Sequence, residues 1–472
     1  MANLRSFLAP IHKLPTEVLT RIFIENIHDT EELYNPQQPR RRLPFVLSTV
    51  CRRWRDISLS FPGLWSHLRV LDPDWDAANI TEILDCYIAR SQTCSLTVEL
   101  EIPQNMDILR TQSDEEADDL CPVLEGLVEH SARWEHLKIL GCAIFLLDHP
   151  VFHRIKGHLP ALHHLEILQT WPADIRTDDE YDIFSDCPQL RTVDTEWPPY
   201  LIHNGSLLQQ LQLPWSQINS WTIDIEEWSE LLSRPCDSLE HLEIDDIKEE
   251  EPDSVSENEE VLTSKVSSLK LVGPWRKTAT YLSDVLDTTS FPQLRSLELC
   301  SFSHSWSTPF LGCLTRSSCT ITCLTLQLVS DTDRALTDDE IMSLLRHTPS
   351  VHTFSLVYKL PLSKEFLKSF ALSHAKFPAP SPILPMLENF SLGLRDHIPK
   401  MDDKAIVDAL ASRWLPDPDY AKSVGAVCLR SVTIEFPANR FRTDSKAFFQ
   451  PDMPSLHDLR AAGMRIDVIV SD

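Results

Sequence analysis

Glycine is scarce in this chain. Ten glycines are spread over 472 residues, and no two lie closer than 15 positions, Gly126 and Gly141 being the nearest pair. The glycine-rich turns that cradle phosphate, G-x-G-x-x-G and G-x-x-x-x-G-K, therefore have no place to occur. G-x-S-x-G and H-E-x-x-H are missing as well, which removes the nucleophile elbow and the zincin helix. Long apolar runs are also lacking. Pieces such as CAIFLL at 142–147 fall far short of the roughly 18 apolar residues of a membrane span, and MANLRSFLAPIHKLP at the start holds no apolar core of signal-peptide length. A cytosolic or nuclear protein without a membrane partner is expected.

Paired cysteines are missing too. Twelve Cys are scattered, mostly beside apolar residues, a usage that suits buried thiols in a reducing compartment better than a disulfide framework. The closest two, Cys319 and Cys323, have x3 spacing and no second pair at finger distance, so no zinc site is expected. His149, His153 and His158 cluster, but HPVFH lacks the zincin glutamate and Pro150 disfavours a helical His149. They read as surface or core histidines. Neither a catalytic motif nor a cofactor motif emerges, and the chain is expected to be no enzyme.

Net charge is −27, unevenly placed. Residues 1–70 hold ten Lys/Arg against six Asp/Glu, and the remainder 33 against 64. So acidic a body repels phosphate backbones, and the run Arg40-Arg41-Arg42 is too short to reverse that. Nucleic acid is not expected as a partner.

What the body does have is a repeat. An apolar anchor followed by apolar residues at +3 and +5 recurs as WEHLKI (134), LHHLEI (162), LRTVDT (190), LQQLQL (208), LEHLEI (239), VSSLKL (266), LRSLEL (294), ITCLTL (321), VHTFSL (351), LENFSL (387) and LRSVTI (429), with a partial LHDL at 456. Most anchors lie close to 28 residues apart, and the +2 and +4 positions are polar in every copy apart from Cys323. Alternation of this kind marks a strand with one face buried and one exposed. Between strands lie helical stretches, the clearest opened by the capping box Thr337-Asp338-Asp339-Glu340 ahead of Ile341, Leu344 and Leu345. One strand and one helix cannot bury an apolar face alone; stacked neighbours can. The pattern resembles the L-x-x-L-x-L core of leucine-rich repeats without their regularly placed Asn or Cys. An ordinary doubly covered α/β sheet would show continuous apolar strands instead. The 36- and 42-residue anchor gaps suggest insertions such as KFPAPSPILP (376–385). The acidic stretch at 245–260 reads as a solvated loop, in which Ser254 and Ser256 each precede a Glu by three residues, as acidophilic kinase sites do.

The N-terminus is different. HKLPTEVLTRIFIENI (12–27) puts Val18, Leu19, Ile22 and Phe23 on a short helix, and a polar insertion at 29–42 follows. One further helix is expected to carry Leu47, Val50, Cys51, Trp54 and Ile57, before Pro62-Gly63-Leu64-Trp65. Val18, Leu47 and Ile57 are expected to be internal. The order L-P-x-E-V-L-x-x-I-F, V-C-R-x-W-R, P-x-L-W resembles an F-box, most of all in the F-box proteins of mushroom-forming fungi. The resemblance spans roughly residues 12–68.

With the repeat pattern of the body, an α+β to α/β solenoid is expected: a small helical F-box (1–70), a linker or cap (71–130), and an irregular leucine-rich-repeat-like horseshoe (131–472) with parallel strands on the concave side and helices outside. The F-box resemblance further implies that the F-box docks on the Skp adaptor, and through it on cullin, in an SCF-type ubiquitin ligase whose repeat domain binds an unknown target protein. By motif, Leu14, Pro15, Leu19, Ile22, Phe23, Val50, Cys51 and Trp54 line the adaptor contact, and Leu64 and Trp65 complete it by closing the helices onto the repeats. Arg52, Arg53 and Arg55 would steer an acidic adaptor. On the target face the candidates are His164, Glu166, Gln210, Gln212, His241, Glu243, Lys270 and Glu298. The alternative is a non-catalytic scaffold that binds the adaptor outside the cullin ligase.

Overall fold

The computed structural model describes residues 10–28, 43–70, 80–102, 121–169, 180–196, 210–224, 234, 236–245, 262–273, 286–300, 307–328, 337–358, 363–373, 382–394, 403–437 and 454–471. The insertion at 29–42, nearly all of the acidic stretch at 245–260 and most of the proline-rich stretch at 376–385 lie outside these residues. The chain divides into two compact units, Met1–Ile218 and Asn219–Asp472. That division falls inside the expected repeat body rather than at 70 or 130.

The first unit opens with helices α1 (Thr16–His28), α2 (Leu43–Val50) and α3 (Arg52–Ser60). Strand β1 (His67–Val70), helix α4 (Ile80–Ser91), strand β2 (Leu96–Ile102), helix α5 (Cys121–Val128), strand β3 (Trp134–Gly141), helix α6 (Ala143–Leu147), strand β4 (His164–Gln169) and strand β5 (Thr192–Glu196) follow. All five strands are parallel and pair in chain order. Parallel strands in chain order, joined by right-handed crossovers, send every connection over the same face. Accordingly α4 packs against α5.

The second unit repeats the scheme with β6 (Ser220–Asp224), β7 (His241–Asp245), β8 (Ser268–Val272), β9 (Ser296–Cys300), α7 (Ser307–Ser317), β10 (Cys323–Leu328), α8 (Asp338–His347), β11 (Thr353–Tyr358), α9 (Lys364–Phe370), β12 (Asn389–Leu394), α10 (Asp403–Ser412), α11 (Pro418–Val424), β13 (Ser431–Pro437), α12 (Pro454–Ala461) and β14 (Arg465–Ser471). These nine strands too are parallel and paired in chain order. Helices α7 to α10 pack each against the next, and α10 against α12. The longest turn, between β12 and β13, holds two helices.

Alternation decides which side of the sheet the helices cover. Anchor, +3 and +5 residues are buried, as in Leu162, Leu165 and Ile167, or Val351, Phe354 and Leu356. Each such side chain stabilises the fold by about 1.5–3 kcal/mol. Thr195, the one polar +5 residue, is buried in the same row. In the copies that form strands, the +2 and +4 residues stay half-exposed or exposed. The capping box forms: Thr337 Oγ1 accepts from the Glu340 amide (3.4 Å) and Glu340 Oε2 accepts from the Thr337 amide (2.8 Å).

A backbone device recurs with the anchors. From the Ile218 anchor to the Leu387 anchor, the carbonyl one residue later accepts two successive amides of the next turn: Asn219 takes 240 and 241, Glu240 takes 267 and 268, Ser267 takes 295 and 296, and so on to Glu388, which takes 430 and 431, all at 2.7–3.2 Å.

Two expected strands are corrected. Of LQQLQL at 208, the described residues 210–213 form no strand; Leu211 makes an isolated bridge to Tyr181, and the strand of that turn is β6. Ile218, Trp221 and Ile223, all buried, supply its anchor, +3 and +5, and Ile218 lies 28 residues after Leu190. LHDL at 456 lies in α12, because Leu456 and Leu459 sit at helical spacing and the +5 residue is only Ala461, a good helix former; β14 follows it. The stretch 71–130, expected as linker or cap, contributes β2, α4 and α5. No helix among the described residues is long and apolar enough to cross a membrane.

Arg413 is the most demanding group in the second unit. Buried, it donates from Nε to the Phe370 carbonyl (2.8 Å), from Nη1 to that of Leu384 (3.2 Å) and from Nη2 to that of Ile383 (2.6 Å), with its guanidinium 4.2 Å above the Phe370 ring. No carboxylate pairs with it among the described residues, and burial pulls its pKa down to about 9. One planar fork ties the ends of α9 and α10 to the loop before β12. Arg413→Lys gathers its donors on one nitrogen and cannot span carbonyls that the fork reaches from three, and it is expected to destabilise the second unit by about 2–4 kcal/mol, read as a lowered urea midpoint.

Candidate functional site

The N-terminal helices and the polar side of each sheet are the surfaces the fold leaves available. In α1 the apolar stripe is two-sided. Leu19 and Phe23 are buried, whereas Val18 (43 % exposed) and Ile22 (36 % exposed) face water. Val18 was expected inside; one residue before Leu19, it is turned about 100° away from it and follows Ile22 outward. Leu47 and Ile57 are internal, as expected.

The expected single helix over 47–57 is broken at Cys51. Its backbone is extended (φ −159°, ψ 170°), and its Sγ accepts from the Trp54 amide at 3.5 Å as the N-cap of α3. The break leaves Val50 53 % exposed at the end of α2, with Cys51 and Trp54 half-exposed beside it. Trp54 rests on Phe23, ring centroids 4.8 Å apart. Two of the three arginines act as internal struts: Arg53 Nη2 donates to the Leu14 carbonyl (2.5 Å) and Arg55 Nε to that of Ser48 (2.9 Å). Arg52 is exposed.

Trp65 is a joint. Its Nε1 donates to the Ser58 carbonyl (2.7 Å); its ring meets Phe45 and Tyr87 edge-on at 5.2 and 5.1 Å and lies 4.3 Å beneath the Arg90 guanidinium. It also occupies the anchor position ahead of Leu68 and Val70 in β1, so the first turn of the repeat begins inside the F-box-like motif. Of the ten expected adaptor residues, Leu19, Phe23, Leu64 and Trp65 are therefore core. Pro15, Ile22 and Val50 are exposed, and Leu14, Cys51 and Trp54 half-exposed.

On the polar side of the first unit, Arg69, Glu99, Lys138, Glu166 and Asp194 share one register row. Adjacent charges pair: Arg69 Nε with Glu99 Oε2 (2.6 Å) and Lys138 Nζ with Glu166 Oε1 (2.8 Å). His67 Nε2 lies 3.6 Å from Glu99 Oε2, and His164 Nε2 lies 3.1 Å from Asp194 Oδ2 while its ring stacks on His136 at 5.4 Å. Burial pushes the Glu99 carboxyl up, but His67 and Arg69 together outweigh that and hold its pKa below 4.5. Sequence reasoning missed His67, Arg69 and Glu99, although W-x-x-L-x-V at 65–70 carries the repeat signal.

In the second unit, His241 is exposed, and Glu243, Lys270 and Glu298 share a row. Burial lowers the Lys270 pKa, yet its ion pair with Glu243 and the nearby Glu298 raise it overall. Glu298 Oε1 accepts from Gln327 Nε2 (2.7 Å). Gln210 and Gln212 are corrected: Gln210 is buried and Gln212 donates to Glu180 Oε2 (2.6 Å), both beside the Tyr181–Leu211 bridge and in no strand row.

Burial pushes the Cys187 and Cys300 thiols up to about 12 and that of Cys236 to about 11, so they stay protonated. Among the described residues all cysteines are free, and no three His, Cys, Asp or Glu side chains are grouped to hold a metal. No protein-family model matches the chain, and no curated protein does.

Two outcomes follow from this geometry. A thiol is a weak cap acceptor, so Cys51→Ser is expected to raise the thermal midpoint of the first unit, by an amount equivalent to about 0.5–1 kcal/mol. Because the Glu99 pKa is lowered on folding, its contribution is complete above pH 4.5 and fades as pH falls through the lowered value. Glu99→Gln is thus expected to be less stable than wild type at neutral pH, with the gap closing in acid, in paired urea titrations.

Proposed function

We propose that the chain is the target-recognition subunit of a Skp-cullin-F-box ubiquitin ligase. Its N-terminal helices dock on the Skp adaptor, and the polar side of its repeat sheet holds a target protein. One observation carries this reading. Of the seven large apolar side chains exposed among the described residues, four (Val18, Ile22, Val50 and Leu59) lie on the three N-terminal helices. Aliphatic side chains with Trp and Arg close by are the usual makings of an anchored interface, and they fall within the stretch whose order of residues resembles an F-box. The chain does no chemistry in this reading. It keeps a target near the ligase's charged conjugating enzyme, raising the effective concentration of target lysines. Exposed Arg21 and Arg52 remain free of the backbone struts and are the ones to steer an acidic adaptor.

The test is co-purification with the Skp adaptor and cullin. Wild type is expected to bring down both. Ile22→Glu/Val50→Glu alters only exposed positions, so it should keep its circular dichroism and lose adaptor affinity by tenfold or more, about 1.4 kcal/mol upward. Failure of wild type to bind, or full binding by the folded double variant, removes the reading. Adaptor without cullin would instead make the chain a scaffold outside the ligase.

A further inference from the structure

The polar side of the second unit's sheet changes character partway across. β7 to β9 present Glu243, Lys270 and Glu298. The next four strands place Thr325, Ser355, Ser391 and Thr433 on that same register row. All four are half-exposed, and none of their hydroxyls bonds to another protein group. The row runs on to Asp467 in β14, with which Arg465 Nε pairs at 2.9 Å. A carboxylate without a bonded cation flanks the four hydroxyls on either side, Glu298 on their row and Glu435 one side-chain step further along β13. Glu298 has Lys270 beside it, but that ammonium is bonded to Glu243. Glu435, two residues beyond Thr433, makes no ion pair among the described residues.

We infer that an extended polypeptide segment lies across this row, with a basic side chain over each flanking carboxylate. This rests on the target-receptor reading and names the class of target segment. Short hydroxyls let a backbone come close and offer both donors and acceptors. Among the described residues β10 to β13 place no cation on this row to receive a phosphate or an acidic peptide, Arg465 on β14 is paired with Asp467, and the charge of −27 on the whole chain favours a basic one. Spacing sets the rest. Glu298 and Glu435 are four strand spacings apart, about 19 Å at roughly 4.8 Å each, and two residues offset along the strand direction, roughly 20 Å in all, which an extended chain covers in about six residues. The segment therefore carries Lys or Arg about six positions apart, with small or polar residues between.

The experiment is fluorescence anisotropy with the full chain and three labelled decapeptide pools built on Ser, Thr, Ala and Asn: Arg fixed at positions 2 and 8, Arg at 2 and 3, or Glu at 2 and 8. The first pool is expected to bind at least tenfold more tightly than the second and to weaken with salt, while the third does not bind. Ser391→Arg, at a half-exposed position, should abolish binding, and Glu435→Gln should weaken it several-fold. Equal binding of the pools, no binding of the first, or unchanged binding by Ser391→Arg overturns the inference. Adaptor binding is measured on the same variants. If it persists while the peptide prediction fails, only this assignment falls; if it is absent while the first pool binds as expected, only the ligase reading falls.

Discussion

The fold depends on register. From β6 to β13 each turn hands the next a carbonyl that accepts two consecutive amides, and the anchor, +3 and +5 side chains of successive turns stack beneath it in one buried layer. A slip of one residue in any strand would turn its apolar set toward water and its polar set into the core, so the layer and the carbonyls fix the same alignment. Function inherits that alignment. Because +4 positions stay level from strand to strand, Arg69, Glu99, Lys138 and Glu166 fall into alternating charge in the first unit. In the second, a charged group gives way to a run of unbonded hydroxyls.

The two units use their polar sides differently. In the first, most charges on the row are already paired within the chain, and the histidines lean on carboxylates or on each other. In the second, hydroxyls without internal partners dominate from β10 to β13. The N-terminal helices show a similar division. Leu19, Phe23, Leu47 and Ile57 are occupied with packing, and Trp65 closes them onto β1, while Val18, Ile22 and Val50 remain outside.

Much of this was legible in the sequence because strict alternation leaves a mark that does not depend on loop lengths. It failed where the mark was copied by chance or altered by chemistry. LQQLQL has the right letters at the wrong spacing, and the true strand was hidden because Trp221 stands where Leu was sought. β2 escaped notice because a register shift between Leu96 and Thr97 breaks the anchor pattern. Cys51 looked like one more apolar residue on a helix face, and nothing in the pattern marked it as a cap. Val18 and Leu19 are adjacent apolar residues, and only three-dimensional packing decides which of them turns inward. The struts from Arg53 and Arg55 likewise depend on which carbonyls end up within reach.

The most direct measurement is hydrogen exchange of the full chain, alone and with the Skp adaptor. The account predicts added protection over residues 14–22 and 50–54, with the paired amides at 295–296, 322–323 and 352–353 slow in both states. Unchanged exchange over the N-terminal helices, or protection gained on the sheet instead, would contradict the division between a docking module and a target-bearing sheet.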